Sequence, residues 1–208
     1  MDLTTAILVL AGAFLLGSIP TGYLAGRARG VDLRKHGSGN IGATNAMRIL
    51  GKPLGVFVFL IDALKGAAAV WLAVRLTPAS AGAWPGILAA VGAIAGHNFT
   101  PWLGFKGGKG IATSTGALLA LMPLAVLAIA GVWFLLFRLT RYVSVASMSA
   151  AAALPVVIAL LWHFDLGGNG PLFGFAVVIS VLAIWRHRSN IARLRAGTES
   201  RSGQPTNP

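Results

Sequence analysis

Apolar stretches long enough to cross a lipid bilayer make up most of this chain, and three short polar, glycine-rich clusters interrupt them. The first polar cluster is HGSGNIGATNAMR (36–48), the second is GHNFTPWLGFKGGKGIATSTG (96–116) and the third is RHRSNIARLRAGTE (186–199). Only 11% of the 208 residues are charged, whereas a soluble domain carries about 25%. The sequence therefore predicts a single all-α, polytopic integral membrane domain over residues 1–208, with a disordered tail at 201–208.

Membrane-spanning helices need about 20 apolar residues each, so a chain of this length has room for six or seven of them. One stretch is ambiguous, because Ile111 to Phe137 fits either one long span or two short spans broken near Pro123. The other predicted spans run approximately over 3–24, 54–76, 84–95, 143–161 and 172–185.

Positive charge decides between six and seven spans. With two spans between Ile111 and Phe137, all 17 Lys and Arg residues except Lys65 and Arg75 fall on one side of the membrane. With one span, the arginines of the third polar cluster would face away from the cytoplasm. Because cytoplasmic loops carry an excess of Lys and Arg, we expect seven transmembrane helices, some of them short, with the N-terminus outside and the C-terminus cytoplasmic.

The net charge of +12 has a second interpretation besides topology. Clustered cations attract an acidic ligand or anionic lipid headgroups. These cations lie beside membrane spans, which argues against nucleic acid as a partner. The chain has no cysteine, and its five acidic residues are too few for a carboxylate cage, so we expect neither a metal site nor a cofactor.

Two glycine-rich runs imitate nucleotide-binding motifs. Gly37, Gly39 and Gly42 match GxGxxG, but charged residues precede them instead of a strand, and the acidic residue at the expected distance, Asp62, lies in an apolar span. The run from Gly104 to Lys109 is one residue short of a Walker loop, and a glycine follows where that loop needs Ser or Thr. We therefore reject a dinucleotide fold and an ATPase site.

The polar clusters combine cations, small hydroxyls and glycine amides, which together suit phosphate. In the first cluster, an arginine shares a helical face with a threonine and an asparagine, and its guanidinium fork matches phosphate. In the second, two glycines separate two lysines just before an apolar helix, whose start favours anions. The candidate residues of these two clusters are Ser38, Gly39, Asn40, Gly42, Thr44, Asn45, Arg48, Lys106, Gly107, Gly108 and Lys109.

In the third polar cluster, His187 and Asn190 stand three residues apart, again on one helical face. Structural interpretations stay open at this point. Either glycine run alone can be a membrane turn, His187 can be a satisfied interfacial side chain, and Lys109 can meet lipid phosphate. Asp62 and Lys65, three apart within a span, are expected to form an internal ion pair that is either structural or flanks the site.

These residues closely resemble the three signature motifs of one bacterial enzyme family, the acyl-phosphate:glycerol-3-phosphate acyltransferases of the PlsY type. The matching segments are GSGNIGATN (37–45) with Arg48, GHNFTPWLGFKGGKGIAT (96–113) and RHRSNIARLRAGTE (186–199). The resemblance runs from about Gly17 to Glu199, in the same order and at similar spacing. Three long motifs together make it highly specific.

The resemblance implies transfer of a fatty acyl group from acyl phosphate to the 1-hydroxyl of sn-glycerol 3-phosphate, giving lysophosphatidic acid and phosphate. This is the first acylation of bacterial phospholipid synthesis. The resemblance also implies a multi-pass protein surrounded by membrane lipids in the inner membrane, with seven spans and a cytoplasmic active site. A partner enzyme that synthesises acyl phosphate is implied too. Arg48 and Lys109 would bind phosphate.

Catalytic roles also follow from the resemblance. Ser38 and neighbouring amides are expected to hold a phosphate or the oxyanion, and His187 and Asn190 to orient the glycerol hydroxyls. The general base stays open between His187 and the departing phosphate of the acyl donor. The catalytic candidates are thus Ser38, His187 and Asn190, and His97 and Glu199 join the substrate-binding candidates.

Two other function classes fit part of the pattern. A small membrane transporter for a phosphorylated solute also has short, broken helices. Transporters, however, bind near the membrane midplane and carry internal repeats, whereas these clusters lie at span ends and no repeat is visible. A structural lipid-binding scaffold does not explain why Ser, Asn, His and Lys are so concentrated. The acyltransferase is the preferred hypothesis, and the transporter is the alternative.

Overall fold

The computed structural model of the chain describes residues 1–203, and within this range it is helical without any strand. The α-helices are α1 (Leu3–Gly17), α2 (Thr21–Arg27), α3 (Ala43–Leu50), α4 (Lys52–Leu76), α5 (Trp84–Asn98), α6 (Ile111–Leu121), α7 (Pro123–Thr140), α8 (Val143–His163), α9 (Gly170–Arg186) and α10 (Arg188–Arg195). Three short 3-10 turns lie at Leu33–Lys35, Ala79–Ala81 and Pro101–Leu103.

Among residues 1–203, four helical segments are long and apolar enough to cross a bilayer, and a fifth is counted if α9 and α10, bent by 50°, make one broken span. The four segments are Leu3–Arg27, Lys52–Leu76, Pro123–Thr140 and Val143–His163. The prediction of seven spans goes beyond this, because α5 and α6 have only 15 and 11 residues. At 1.5 Å per residue such helices are about 22 and 16 Å long, shorter than a hydrocarbon core of about 30 Å.

Proline sets two of the helix boundaries. The predicted break near Pro123 is confirmed, since α6 ends at Leu121 and α7 begins at Pro123. The first predicted span, in contrast, is not continuous: α1 ends at Gly17, and α2 begins at Thr21 after Pro20. Proline has no N–H to continue the helical ladder and clashes with the preceding turn.

The chain forms two compact units, the first covering Met1–Leu121 and the second starting at Met122. The prediction of one integral membrane domain stays a prediction. Residues 204–208 of the predicted disordered tail lie outside the described range. The part of the tail that is described makes contacts: Arg201 Nε donates to the Tyr142 hydroxyl at 3.0 Å, and Ser202 N donates to the Arg141 carbonyl at 2.9 Å.

Small residues bring helix backbones together in the first unit. On α4 and α6, Gly66 lies against the carbonyl of Thr113, and Gly116 lies against the carbonyl of Ala63. On α5, Gly96 lies against the carbonyl of Phe14 in α1 in the same way. Glycine permits this approach because it has no Cβ, which is how membrane helices gain close packing where lipid supplies no hydrophobic driving force.

Because α4 and α6 are in backbone contact, we expect one added methyl group between them to lower the stability of the fold. We expect Gly116→Ala to lower the unfolding temperature in detergent, because the new Cβ meets the Ala63 backbone, and overpacking costs about 1–3 kcal/mol. Gly131→Ala on α7 is the matched control, since nothing lies within 4 Å of a Cβ there. It should be neutral or slightly stabilising. Equal unfolding temperatures for the two variants would contradict the close packing.

Candidate active site

The loop of the first polar cluster is built around Asn45, whose side chain is buried at 2% exposure. Its Nδ2 donates to the carbonyls of Leu33, His36 and Asn40 at 3.2, 3.1 and 2.8 Å. Its Oδ1 accepts from the backbone N–H of Ser38 at 2.9 Å. The Asn45 amide thus shapes the loop that presents Ser38, while its predicted role in substrate binding stays a prediction.

The loop amides are committed as well, which corrects the expectation that they form an open nest for an anion. Ser38 N donates to Asn45 Oδ1, Gly39 N donates to the His36 carbonyl at 3.0 Å, and Gly42 N donates to Asn40 Oδ1 at 2.8 Å. Gly39 has φ +69°, which glycine adopts without strain. These three amides therefore stabilise the loop itself, and anion binding by the Ser38 hydroxyl stays a prediction.

Helix α3 follows directly and carries Thr44 and Arg48, one turn apart and both half-buried. The spacing confirms that they share a helical face. Arg34, in the segment before the first polar cluster, is placed differently from Arg48. Arg34 is exposed, stacks over the Tyr23 ring at 4.8 Å and donates to Asp32, and this hydrogen bonding holds the pKa of the Asp32 carboxyl well below its usual range. Arg34 therefore already has an anionic partner.

The second polar cluster folds back onto the C-terminal end of α5. The N–H of Gly107 donates to the Asn98 carbonyl at 3.1 Å, and the N–H of Gly108 donates to the His97 carbonyl at 3.0 Å. Both amides are thus used within the protein. Their role is to close the lysine–glycine loop, defined here as residues 104–110, against α5.

Lys109 is the better placed of the two lysines in this loop. It is half-buried and stands two residues before α6, whereas Lys106 is exposed. The Gly110 carbonyl accepts the first helical hydrogen bond, from Ser114 N at 2.7 Å, so one residue separates Lys109 from the helix. A cation beside the positive end of a helix favours an anion at this position.

A buried charge cluster lies behind the loop. Lys65 Nζ is 2.7 Å from Asp62 Oδ1, which confirms the ion pair expected from the sequence. The His97 Nδ1 atom is 3.6 Å from the same carboxylate oxygen. All three side chains are at least nine-tenths buried. The His97 ring lies between Asp62 and the lysine–glycine loop, and its expected role in substrate binding stays a prediction.

Both polar clusters of the first unit are anchored on the interruption between α1 and α2. The Thr100 hydroxyl donates to the Ser18 carbonyl at 2.6 Å, and Trp102 Nε1 donates to the Ser18 hydroxyl at 2.9 Å. Gly22, in the first turn of α2, lies against the Ile41 carbonyl of the first polar cluster. Pro20 thus creates a fixed segment that holds both polar clusters.

The third polar cluster belongs to the second unit and begins at the bend between α9 and α10. His187 is 3% exposed, and its Nδ1 lies 2.8 Å from the Ala183 carbonyl. Because a carbonyl only accepts hydrogen bonds, Nδ1 carries the ring proton, and the lone pair of the neutral imidazole is on Nε2. Asn190 lies three residues further along, in the first turn of α10, and is also buried.

Glu199 is the centre of a polar network in this unit. Its Oε1 accepts from Asn190 Nδ2 at 2.6 Å and from the Ser144 hydroxyl at 2.8 Å, and its Oε2 accepts from Arg193 Nε at 2.7 Å. Burial raises the pKa of Glu199, but hydrogen bonds from Asn190, Arg193 and Ser144 outweigh burial and leave this pKa below its ordinary value.

These contacts give Glu199 a structural role, and its expected part in substrate binding stays a prediction. A carboxylate would repel a phosphate, and its oxygens are occupied by side chains of the same unit. Glu199 holds Asn190 in place. The sequence motifs do not predict a role for Ser144, because it lies outside the three polar clusters. Its only signal is a serine at the start of an apolar helix just after Arg141.

A family model described as glycerol-3-phosphate acyltransferase matches residues 7–197, nearly the whole chain. The chain belongs to this family. The resemblance found in the three polar clusters is thereby confirmed. That residues of all three clusters serve one reaction, as the resemblance implies, stays a prediction, since two clusters lie in the first unit and one in the second.

Relatives of this family member align over almost their full length. A glycerol-3-phosphate acyltransferase of Geobacter metallireducens is 51% identical over 94% of this chain and 96% of its own. One from Synechococcus sp. (strain JA-3-3Ab) is 49% identical over 96% of this chain and 95% of its own.

Solved structures agree with the family assignment. A crystal structure of PlsY, an integral membrane glycerol 3-phosphate acyltransferase, in its glycerol 3-phosphate form has a TM-score of 0.85 and 40% identity, and covers 95% of this chain and 96% of that one. The lysophosphatidic acid form of PlsY gives a TM-score of 0.83 at 39% identity, with 95% of each chain covered. The fold of this chain is therefore that of an integral membrane acyltransferase.

Proposed function

We propose that this chain transfers a fatty acyl group from acyl phosphate to the 1-hydroxyl of sn-glycerol 3-phosphate, releasing lysophosphatidic acid and inorganic phosphate. The observation that carries the proposal is the full-length similarity to PlsY, whose solved forms are named for glycerol 3-phosphate and lysophosphatidic acid. The three polar clusters supply phosphate-binding side chains in the same order as the family's motifs. Both proposed substrates carry phosphate, so two anion pockets are required.

Arg48 and Lys109 are the proposed phosphate-binding cations. Both are half-buried, so water screens their charge less than it screens that of the exposed Lys106. Arg48 offers a planar fork that can bind two phosphate oxygens at once. Lys109 offers a point charge beside the start of α6. The Ser38 hydroxyl, held in position by the Asn45-braced loop, is the proposed donor to a phosphate or to the oxyanion.

Acyl phosphate is already an activated mixed anhydride, so binding and orientation can supply much of the acceleration. The glycerol hydroxyl oxygen forms a bond to the acyl carbonyl carbon, and the bond from that carbon to the phosphate oxygen breaks. The hydroxyl proton leaves to a base. The Ala183 carbonyl fixes the His187 tautomer whose Nε2 can accept this proton, and the departing phosphate is the alternative acceptor.

A direct activity test decides the reaction. Purified chain in detergent, given palmitoyl phosphate and glycerol 3-phosphate, should release phosphate only when both are present. Palmitoyl-CoA should not replace palmitoyl phosphate, and a chelator should leave the rate unchanged. Full activity with the CoA ester, or phosphate release without glycerol 3-phosphate, would contradict the proposed acyl donor or acceptor.

The membrane arrangement proposed for this activity has seven crossings of the bacterial inner membrane, with all three polar clusters on the cytoplasmic side. The positive charge of the clusters supports this orientation. A cytoplasmic or membrane-associated enzyme that synthesises acyl phosphate would be the supplier of the donor.

Site-directed labelling of this cysteine-free chain tests the arrangement. We expect single cysteines at the exposed positions Lys35, Lys106 and Ala196 to react with an impermeant reagent only from the cytoplasm. Cysteines at Ala79 and Leu166, also exposed, should react only from outside. Labelling of Leu166 and Ala196 from the same side would rule out seven crossings.

A further inference from the structure

The buried ion pair of Asp62 and Lys65 lies outside the three polar clusters in the sequence, and His97 of the second cluster faces it. Asp62 and Lys65 lie in the middle of α4, and their side chains are 2% and 4% exposed. Charged groups within an apolar helix bundle are costly to bury and are kept where they pair and serve a function. At 2.7 Å, Asp62 and Lys65 neutralise each other's charge. This pairing does not explain why two charged residues occur inside an apolar helix.

The pair is connected to the interruption between α1 and α2. Lys65 Nζ donates to the carbonyl of Ile19 at 2.8 Å. Ile19 immediately precedes Pro20, whose missing N–H helps to interrupt the helix. The neighbouring Ser18 accepts from Thr100 and Trp102 of the second polar cluster. Lys65 therefore contacts the same segment that holds Thr100 and Trp102, which lie just before the lysine–glycine loop.

His97 connects the pair to the loop more directly. Its Nδ1 faces Asp62 Oδ1 at 3.6 Å, and on the other side of the ring Nε2 lies against Gly108, so closely that a Cβ at Gly108 would collide with it. The His97 carbonyl also accepts the N–H of Gly108. The ring thus fills the space between a buried carboxylate and the backbone that precedes Lys109.

We propose that the Asp62–Lys65–His97 cluster positions the lysine–glycine loop, and that His97 is a positioning residue for the phosphate held by Lys109. The inference rests on the proposed function, in which Lys109 binds a substrate phosphate. A displaced loop weakens ground-state and transition-state binding of that phosphate alike. Its kinetic signature is a raised KM for one substrate with kcat nearly unchanged.

The test compares His97→Leu with Lys109→Ala in the same assay. We expect His97→Leu to raise, by roughly tenfold, the KM of the substrate whose KM rises in Lys109→Ala, while kcat changes by less than about threefold. The other KM should stay at its wild-type value. His97→Gln, which keeps an amide donor toward Asp62, should restore most of the lost affinity. His163→Leu, at an exposed histidine of α8, is the matched control.

A second variant covers the case in which His97→Leu does not fold. The double substitution Asp62→Asn with Lys65→Met removes both charges and leaves no buried ion unpaired. It should raise the same KM as Lys109→Ala. Wild-type KM values in these cluster variants beside an impaired Lys109→Ala would overturn the positioning role. The positioning role would also be overturned if kcat fell and both KM values rose equally, in proportion to the loss of thermal stability. An unaffected Lys109→Ala would instead overturn the phosphate assignment itself.

Discussion

Replacing Lys109 by alanine is expected to lower kcat/KM by roughly tenfold to a hundredfold, which corresponds to loss of a charge-assisted hydrogen bond of about 1.5–3 kcal/mol. The reason is its position: Lys109 is half-buried and stands two residues before α6, so its charge and the helix start act on the same anion. Steady-state kinetics with palmitoyl phosphate and glycerol 3-phosphate, each varied in turn, measure the effect and show which substrate loses affinity.

Two further variants make this result specific. Arg48→Lys keeps the positive charge but loses the guanidinium fork, so this variant should also have a lower kcat/KM. If Arg48 acted only through its charge, kcat/KM would stay unchanged. Lys52→Ala removes an exposed cation at the first residue of α4 and should stay within about twofold of wild type. If Lys109→Ala behaves like Lys52→Ala in folded protein, Lys109 does not bind phosphate, and the loop is a structural turn.

The positions of most helices could be predicted because their apolar runs are long and their ends carry proline, glycine or charge. The break before Pro123 is an example. The sequence analysis predicted one continuous span here because the longer stretches on both sides of Pro20 are mostly apolar, and hydropathy does not distinguish a bent span from a straight one. Proline at that position was the available signal.

The sequence predicted which residues belong to the candidate site, but not which of them build the loops and which are placed to bind an anion. Glycine, asparagine and histidine in a polar cluster fit both anion binding and loop construction, and only hydrogen-bond partners separate the two. Asn45 and the amides of Gly107 and Gly108 are used to build loops, while Lys109 keeps a placement suited to an anion. Glu199 differs again, because its partners come from distant parts of the sequence, such as Ser144.

Loss of the Glu199 carboxylate should have the largest effect on stability among the substitutions considered. Glu199→Ala leaves Asn190, Ser144 and Arg193 without their shared acceptor, and breaking a buried charged network costs about 3–5 kcal/mol. Arg193 is 31% exposed, so water recovers part of that cost, and the lower end of the range applies. We expect the unfolding temperature in detergent to fall by roughly 5–10 °C. Phosphate release should fall too, because Asn190 loses its orientation.

The same carboxylate predicts how stability depends on pH. Its pKa is lower in the folded protein than in the unfolded chain, so its contribution is complete above the unfolded value of about 4.3 and is lost as pH falls through the folded pKa. Glu199→Gln cannot ionise and lacks this dependence. The difference in unfolding temperature between wild type and Glu199→Gln should therefore be constant from pH 7 to about 5 and shrink at lower pH. Asp165→Asn, at an exposed carboxyl of the same unit, should match wild type throughout. A wild-type advantage that persists undiminished at low pH would mean that packing, rather than the charge of Glu199, holds this network together.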